Sequence, residues 1–347
     1  MEAVHLLGDI QARGGPSELK SITPAPRRST ITYHFMDRTS IADLYEPNQT
    51  IGAGLVLVPG FTPQGKDDRR LVDLAFSLAR ARFLVLVPDL PGLREMRVRL
   101  SDTRVIADAV VHLAGMEAME GHGGVGVVAI SYAVGLAGLA SALPEAQDKI
   151  RFLVSIGGYS DAKAVVIFIT TGKYRDPSNG IWRSKRPHPA AKWIFLASSI
   201  EVLSNPDDRK ALDLMAERRI RSLTAPIDDL TAGLGPEGLA LLELLTNTDP
   251  ERVEKLIDRL PPAAQRQLDK LSLWHANLSS LAGGLILIHG REDTMIPYTE
   301  SLALKEAISD AELFLVDGFS HIDPTGLGPI DRSTLADAVQ AVLRRRW

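Results

Sequence analysis

Three short segments carry side chains whose types together could perform acyl transfer: Ala129-Ile130-Ser131-Tyr132-Ala133, Gly290-Arg291-Glu292-Asp293-Thr294-Met295-Ile296-Pro297 and Gly318-Phe319-Ser320-His321. A serine hydroxyl is a weak nucleophile until a neighbouring base takes its proton. An imidazole, with an ordinary pKa near about 6.5, can take that proton and return it to a leaving group. A carboxylate that accepts the other imidazole N–H fixes the tautomer and stabilises the imidazolium formed on the way. Ser131 is the candidate nucleophile because it follows a β-branched run and precedes small residues, with Ala129 two before it and Ala133 two after. On a tight strand-to-helix turn the two backbones nearly touch and the serine sits in a strained φ/ψ region, so small neighbours are needed at both places. The helix start behind it supplies free N–H groups near a developing oxyanion. His321 is the candidate base. Asp293 is the candidate carboxylate, with Glu292 one residue away and Asp89 in Val-Pro-Asp-Leu-Pro-Gly as alternatives. Packing serines, turn-forming aspartates and surface histidines are the ordinary uses of these types, so each candidate counts through its place in the chain.

That place is set by alternating elements. The stretches STITYHF and SIADLYEP alternate apolar with polar residues across a short MDRT link and predict an antiparallel hairpin. The continuous apolar run at 52–60 predicts a strand buried on both faces, and strands are also expected at 83–89, 125–130, 150–158, 285–290 and 311–318. Helical spacing is expected near 67–81, 103–119, after Ser131, near 299–308 and near 331–345. The alternation predicts an α/β fold, with a mostly parallel sheet flanked by helices. Between 159 and 283 the pattern changes to helix-like periodicities with no convincing strand, punctuated at Asn205-Pro206, Asp249-Pro250 and Pro261-Pro262. The expected organisation is an N-terminal extension over 1–28 with scope for mobility, a core over 29–158 and 284–347, and an all-helical cap inserted at 159–283. Such a cap would sit over the strands' C-terminal ends, where open α/β sheets bind ligands.

Composition removes several alternatives. The 347 residues suffice for one large α/β domain with an insertion or for two domains. A formal charge of -4, from 39 basic and 43 acidic residues, creates no field for polyanions, so nucleic acid is not an expected partner. With no cysteine there are no disulfides, thiolate ligands or cysteine nucleophile. No HExxH, spaced His/Asp cluster or glycine-rich phosphate loop occurs, so neither a metal nor another cofactor is expected. The first residues carry Glu2 and lack a basic segment followed by a long apolar one. A secretory signal is therefore not expected, and the cytoplasm is the expected location. The uncharged run 124–143 reads as a buried strand turning into a buried helix rather than a membrane span, because its first half is β-branched and its second rich in Ala and Leu.

The five residues around Ser131 resemble the nucleophile elbow of the α/β-hydrolase family, usually G-x-S-x-G, with alanine at both outer positions and Gly135 just beyond. The segment from Gly290 to Pro297 is similar to the family's acid loop, G-x-x-D-x-x-[VI]-P, and His321 stands 28 residues further on, after the last core strand. The resemblance spans about 29–158 and 284–347. It implies a triad of Ser131, Asp293 and His321 in the order this fold uses, with Asp293 favoured over Glu292 and Asp89 a structural loop residue. It also implies an oxyanion hole made by the backbone N–H groups of Phe61, in Pro59-Gly60-Phe61, and Tyr132. The expected activity is carboxylesterase-like, on a small and apolar acyl substrate. Amide or thioester cleavage and a catalytically inactive ligand-binding scaffold of the same fold remain alternatives, and the oligomeric state is left open.

Overall fold

The apolar runs become the central strands of one eight-stranded sheet. The computed structural model describes residues 1–276, 278, 281, 284–319, 321 and 328–346. Its strands are β1 Arg27–Phe35, β2 Arg38–Glu46, β3 Ala53–Val58, β4 Phe83–Pro88, β5 Val125–Ile130, β6 Ile150–Ile156, β7 Lys173–Arg175, β8 Trp182–Ser184, β9 Leu285–Gly290 and β10 Glu312–Val316. The order across the sheet is β1-β2-β4-β3-β5-β6-β9-β10. The pairs β1–β2 and β2–β4 are antiparallel and all later neighbours are parallel. This is the mostly parallel sheet, entered through a hairpin, that the alternation predicts.

Helices α1 Glu2–Ala12, α2 Glu18–Ile22, α3 Arg69–Arg80, α4 Pro91–Arg94, α5 Asp102–Ala114 and α6 Ala133–Ser141 belong to the first part of the chain. Between β6 and β9 lie α7 Ala162–Thr171, α8 Ala191–Ser199, α9 Pro206–Arg221, α10 Asp228–Thr231, α11 Pro236–Thr246, α12 Val253–Ile257 and α13 Pro262–Leu271. The chain closes with α14 Thr299–Ala307 and α15 Pro329–Leu343. Alternate residues of a strand face opposite sides of a sheet. Thus Val56 and Val58 pack with α5 and α6, while Leu55 and Leu57 pack with α1, α3 and α15. Both faces are apolar, which is why β3 and β5 read as unbroken apolar runs rather than alternating ones.

Two regions needed the packing to be read, and the run 124–143 follows its sequence reading. The first 28 residues, expected as an extension with scope for mobility, carry α1 and α2, with Ala3, Leu6, Leu7 and Leu19 buried against the α3–α15 face. Ala3, Leu6 and Leu7 stand at helical spacing, so α1 presents one apolar stripe to the core. The interval 159–283, expected to be wholly helical, also holds the antiparallel ribbon β7–β8, whose strands are too short for a periodic signal. The run 124–143 divides into β5 and α6. Among the described residues no helix is long and apolar enough to cross a membrane.

The register of the sheet aligns the C-terminal strand ends. Val58 pairs with Ala129, Ile130 with Ile156, Ile156 with Ile288, and Gly290 with Val316. The segments after β3, β5, β6, β9 and β10 therefore leave the sheet side by side. Those segments contain Phe61, Ser131, Gly157, Asp293 and His321.

Candidate active site

Ser131 sits at the junction of β5 and α6 with φ 59°, a left-handed conformation that non-glycine residues seldom adopt. Holding a non-glycine residue there costs about 1–3 kcal/mol, supplied by the surrounding structure. Its N–H donates to the Ile156 carbonyl at 2.8 Å, and its own carbonyl accepts the Val134 N–H at 3.0 Å. Ala129 and Ala133 are completely buried, as the tight turn requires.

Asp293 follows β9 and is completely buried. Its Oδ1 accepts the N–H of Met295 at 2.7 Å and of Ile296 at 3.0 Å. Its Oδ2 accepts from His321 Nδ1 at 2.7 Å and lies 3.4 Å from His289 Nε2. Burial pushes the carboxyl up, but hydrogen bonds from His289 and His321 outweigh it and hold the group well below the usual carboxylate range. Asp293 is thus an anion at neutral pH and fixes His321 with Nδ1 protonated, leaving Nε2 as the basic nitrogen. The alternative acids turn elsewhere: Glu292 is exposed and lies 3.5 Å from Lys185, and Asp89 pairs with Arg94 at 2.8 Å.

The turn after β6 joins the two halves of the site. Gly157 has φ 61°, and a β-carbon there would lie 3.3 Å from Asp293 Oδ2 and 3.6 Å from His321 Nδ1. The preceding residue, Ile156, holds the Ser131 amide. Ser131 and the Asp293–His321 pair therefore flank the same strand end, although no hydrogen bond joins the Ser131 hydroxyl to His321 among the described residues. Ser320 and Pro324, which flank His321 in the sequence motif, lie outside the described residues.

On the other side of Ser131 is the turn after β3. A β-carbon at Gly60 would stand 3.5 Å from Ser131 Cβ, and the rings of Phe61 and Tyr132 are 5.1 Å apart. This turn is anchored by buried Thr62, whose hydroxyl donates to Asp68 Oδ2 at 2.7 Å. Asp68 caps α3, and its bond with Arg70 draws its pKa down to about 2. Lys66 reaches buried Asp43 of β2 at 3.2 Å.

Two groups at the site escape sequence reasoning. His289, near the C-terminal end of β9, is completely buried against Asp293. Its Nε2 also meets the Ile296 carbonyl at 3.1 Å and its Nδ1 meets Ser301 Oγ at 2.7 Å. Glu300, in the first turn of α14, accepts from the Ser160 N–H at 3.1 Å, the Ser160 hydroxyl at 2.8 Å and the Asp161 N–H at 2.9 Å. Burial pushes its carboxyl up to about 7. A buried His before the motif's glycine and an acid opening a helix look ordinary in a sequence, and nothing local marks their partners.

A narrow cavity adjoins Phe61 and Tyr132. Its remaining wall comes from Val98, Tyr159 and Leu260 and from α7, α8 and α13, through side chains such as Val165, Phe195 and Leu268. Nearly all of that lining is apolar.

A parallel sheet whose strand ends gather a turn serine, a buried aspartate and an aspartate-bound histidine defines the α/β-hydrolase type of architecture. Residues 55–333 match the sequence profile of the Alpha/beta hydrolase family, and the chain belongs to that family. No curated protein matches the sequence significantly. Solved structures share the fold at low identity. An α/β hydrolase, GrgF from Penicillium sp. sh18, is 16% identical with a TM-score of 0.52, over 92% of this chain and 99% of that one. A lipase in its open form is 16% identical with a TM-score of 0.50, over 92% and 99%. Acylaminoacyl peptidase from Pyrococcus horikoshii is 12% identical with a TM-score of 0.51, over 93% of this chain but only 41% of the peptidase. The chain thus spans about two fifths of that enzyme's length.

Proposed function

We propose that the protein is a serine hydrolase that cleaves a carboxylic ester or related acyl compound through an acyl-enzyme. The observation that carries this reading is the 2.7 Å bond between His321 and buried, ionised Asp293, beside the strained turn of Ser131. In the proposed reaction Ser131 Oγ attacks the acyl carbon while His321 Nε2 takes its proton. The N–H groups of Phe61 and Tyr132 receive the oxyanion. His321 then protonates the leaving group, and a water activated by the same nitrogen frees the acid. The apolar lining supports an apolar acyl group, with residues 159–283 acting as a cap over the core.

A fluorophosphonate probe tests the nucleophile and a series of p-nitrophenyl esters tests the substrate class. Labelling is expected in the wild type and in Ser320→Ala, and is expected to disappear in Ser131→Ala. Turnover should fall by at least about a thousandfold in Ser131→Ala. A wild-type protein that neither takes the label nor turns over any ester would overturn the proposal and favour an inactive binding scaffold.

A further inference from the structure

The imidazole of His289 bridges β9, the acid loop and α14, yet the proposed reaction gives it no task. Its Nε2 faces two acceptors, the Ile296 carbonyl at 3.1 Å and Asp293 Oδ2 at 3.4 Å. An unprotonated Nε2 would set a lone pair against both oxygens, so this nitrogen carries a proton in the neutral and the cationic ring alike. Nδ1 meets Ser301 Oγ of α14 at 2.7 Å, and a hydroxyl can donate to that nitrogen or accept from it. The acid loop is itself closed by the Ile296 N–H, which donates to Asp293 Oδ1 at 3.0 Å, so His289 touches both ends of one turn. His321 Nδ1 lies 2.7 Å from the same Oδ2, and the two imidazoles therefore share a single oxygen. The remaining groups around the carboxylate leave that oxygen to them. Gly157, after β6, brings no side chain, and the Tyr132 hydroxyl at the β5–α6 junction is pushed up by burial and by the Asp293 charge, so it is not an ion. Glu300, next to Ser301, is bound to the Ser160–Asp161 turn, and exposed Glu292 lies 3.5 Å from Lys185.

We propose that His289 is a positioning residue acting through Asp293: its Nε2–H fixes the carboxylate and offsets part of the Oδ2 charge, which limits how firmly Asp293 stabilises the His321 imidazolium. A base that kept its proton too firmly would stay charged at neutral pH and could not accept one from Ser131. The inference rests on the serine-hydrolase reading for the role of His321 as base. The coupling of two imidazoles through one oxygen is independent of it: with the His289 donor removed, Oδ2 carries more of its charge toward His321 and the imidazolium gains stability.

Long-range proton–nitrogen NMR of the histidine-labelled full chain tests this without turnover. His321 signals are assigned by their loss in His321→Ala, and the pH at which its Nε2 becomes protonated is followed. The variants His289→Gln and His289→Asn separate the two ends of the ring, since a glutamine amide reaches the place of Nε2 and an asparagine amide only that of Nδ1. In His289→Asn the His321 midpoint is expected to rise by about half to one pH unit, a three- to tenfold gain in proton affinity, while His289→Gln keeps the wild-type midpoint. A role confined to holding the fold would lower the melting temperature and leave the midpoint unmoved. An unmoved midpoint in His289→Asn, or an equal rise in both variants, overturns the inference. So does a wild-type spectrum in which His289 Nε2 lacks a proton, a result that needs no variant to fold. Fluorophosphonate labelling of the wild type reports on the hydrolase reading alone. Labelling with an unmoved midpoint sinks only the role of His289, and a raised midpoint without labelling sinks only the catalytic reading.

Discussion

Asp293 shows how little freedom one side chain has at this site. Oδ1 is taken by two backbone N–H groups, so Oδ2 must face the imidazoles. In Asp293→Asn the same two N–H groups would retain the amide oxygen and turn the NH2 toward His321 Nδ1. That nitrogen would then have to accept, Nε2 would carry the proton, and the proposed base would be lost. Ester turnover at neutral pH is expected to fall about ten-thousandfold with the fold intact, checked by steady-state kinetics alongside far-ultraviolet circular dichroism. An Asn variant within tenfold of wild type would remove Asp293 from the mechanism. The positions of Ser131, Asp293 and His321 just after apolar strands were legible in the sequence, while their roles as a triad belong to the proposed function. The contact of His289 with Asp293 was not legible, because the folded path of the loop between them sets that distance.

Helix α14 is held by a carboxyl whose ionisation burial opposes. Glu300 ties the helix to the Ser160–Asp161 turn through three hydrogen bonds, and its folded-state pKa is about 7 against an ordinary 4.5. Between those values the unfolded chain has released a proton that the folded protein keeps, so stability falls as pH rises from about 4.5 to about 7. Glu300→Gln retains an acceptor for the same turn and removes the titration. Its stability relative to wild type should therefore rise across that window, by up to about 3 kcal/mol at pH 8 compared with pH 4. Urea unfolding of both proteins at the two pH values measures this, and parallel curves at the two pH values would reject it. The existence and type of the core elements followed from period and run length. The ribbon β7–β8 escaped because three-residue strands carry no period, and its pairing is made by hydrogen bonds rather than by an apolar pattern.

Across the whole molecule the N-terminal helices close one face of the sheet. Leu6, 1% exposed, packs in the cluster that includes α3 and α15, and the two ends of the chain meet where Arg346 pairs with Glu2 at 2.6 Å. Leu6→Ala should cost about 2–5 kcal/mol through lost burial and the cavity left behind, read as a lower melting temperature. A loss below about 0.5 kcal/mol would mean that α1 is not part of the cooperative fold. Period-2 and helical patterning arise from local geometry and from which faces are wet, so the alternating architecture, the strand ends and the three chemical motifs could be read from residue order alone. The burial of the N-terminal helices, the second imidazole at Asp293 and the raised pKa of Glu300 depend on how the chain packs. Dehydration and partner distance set those properties, and both exist only after the chain has closed on itself.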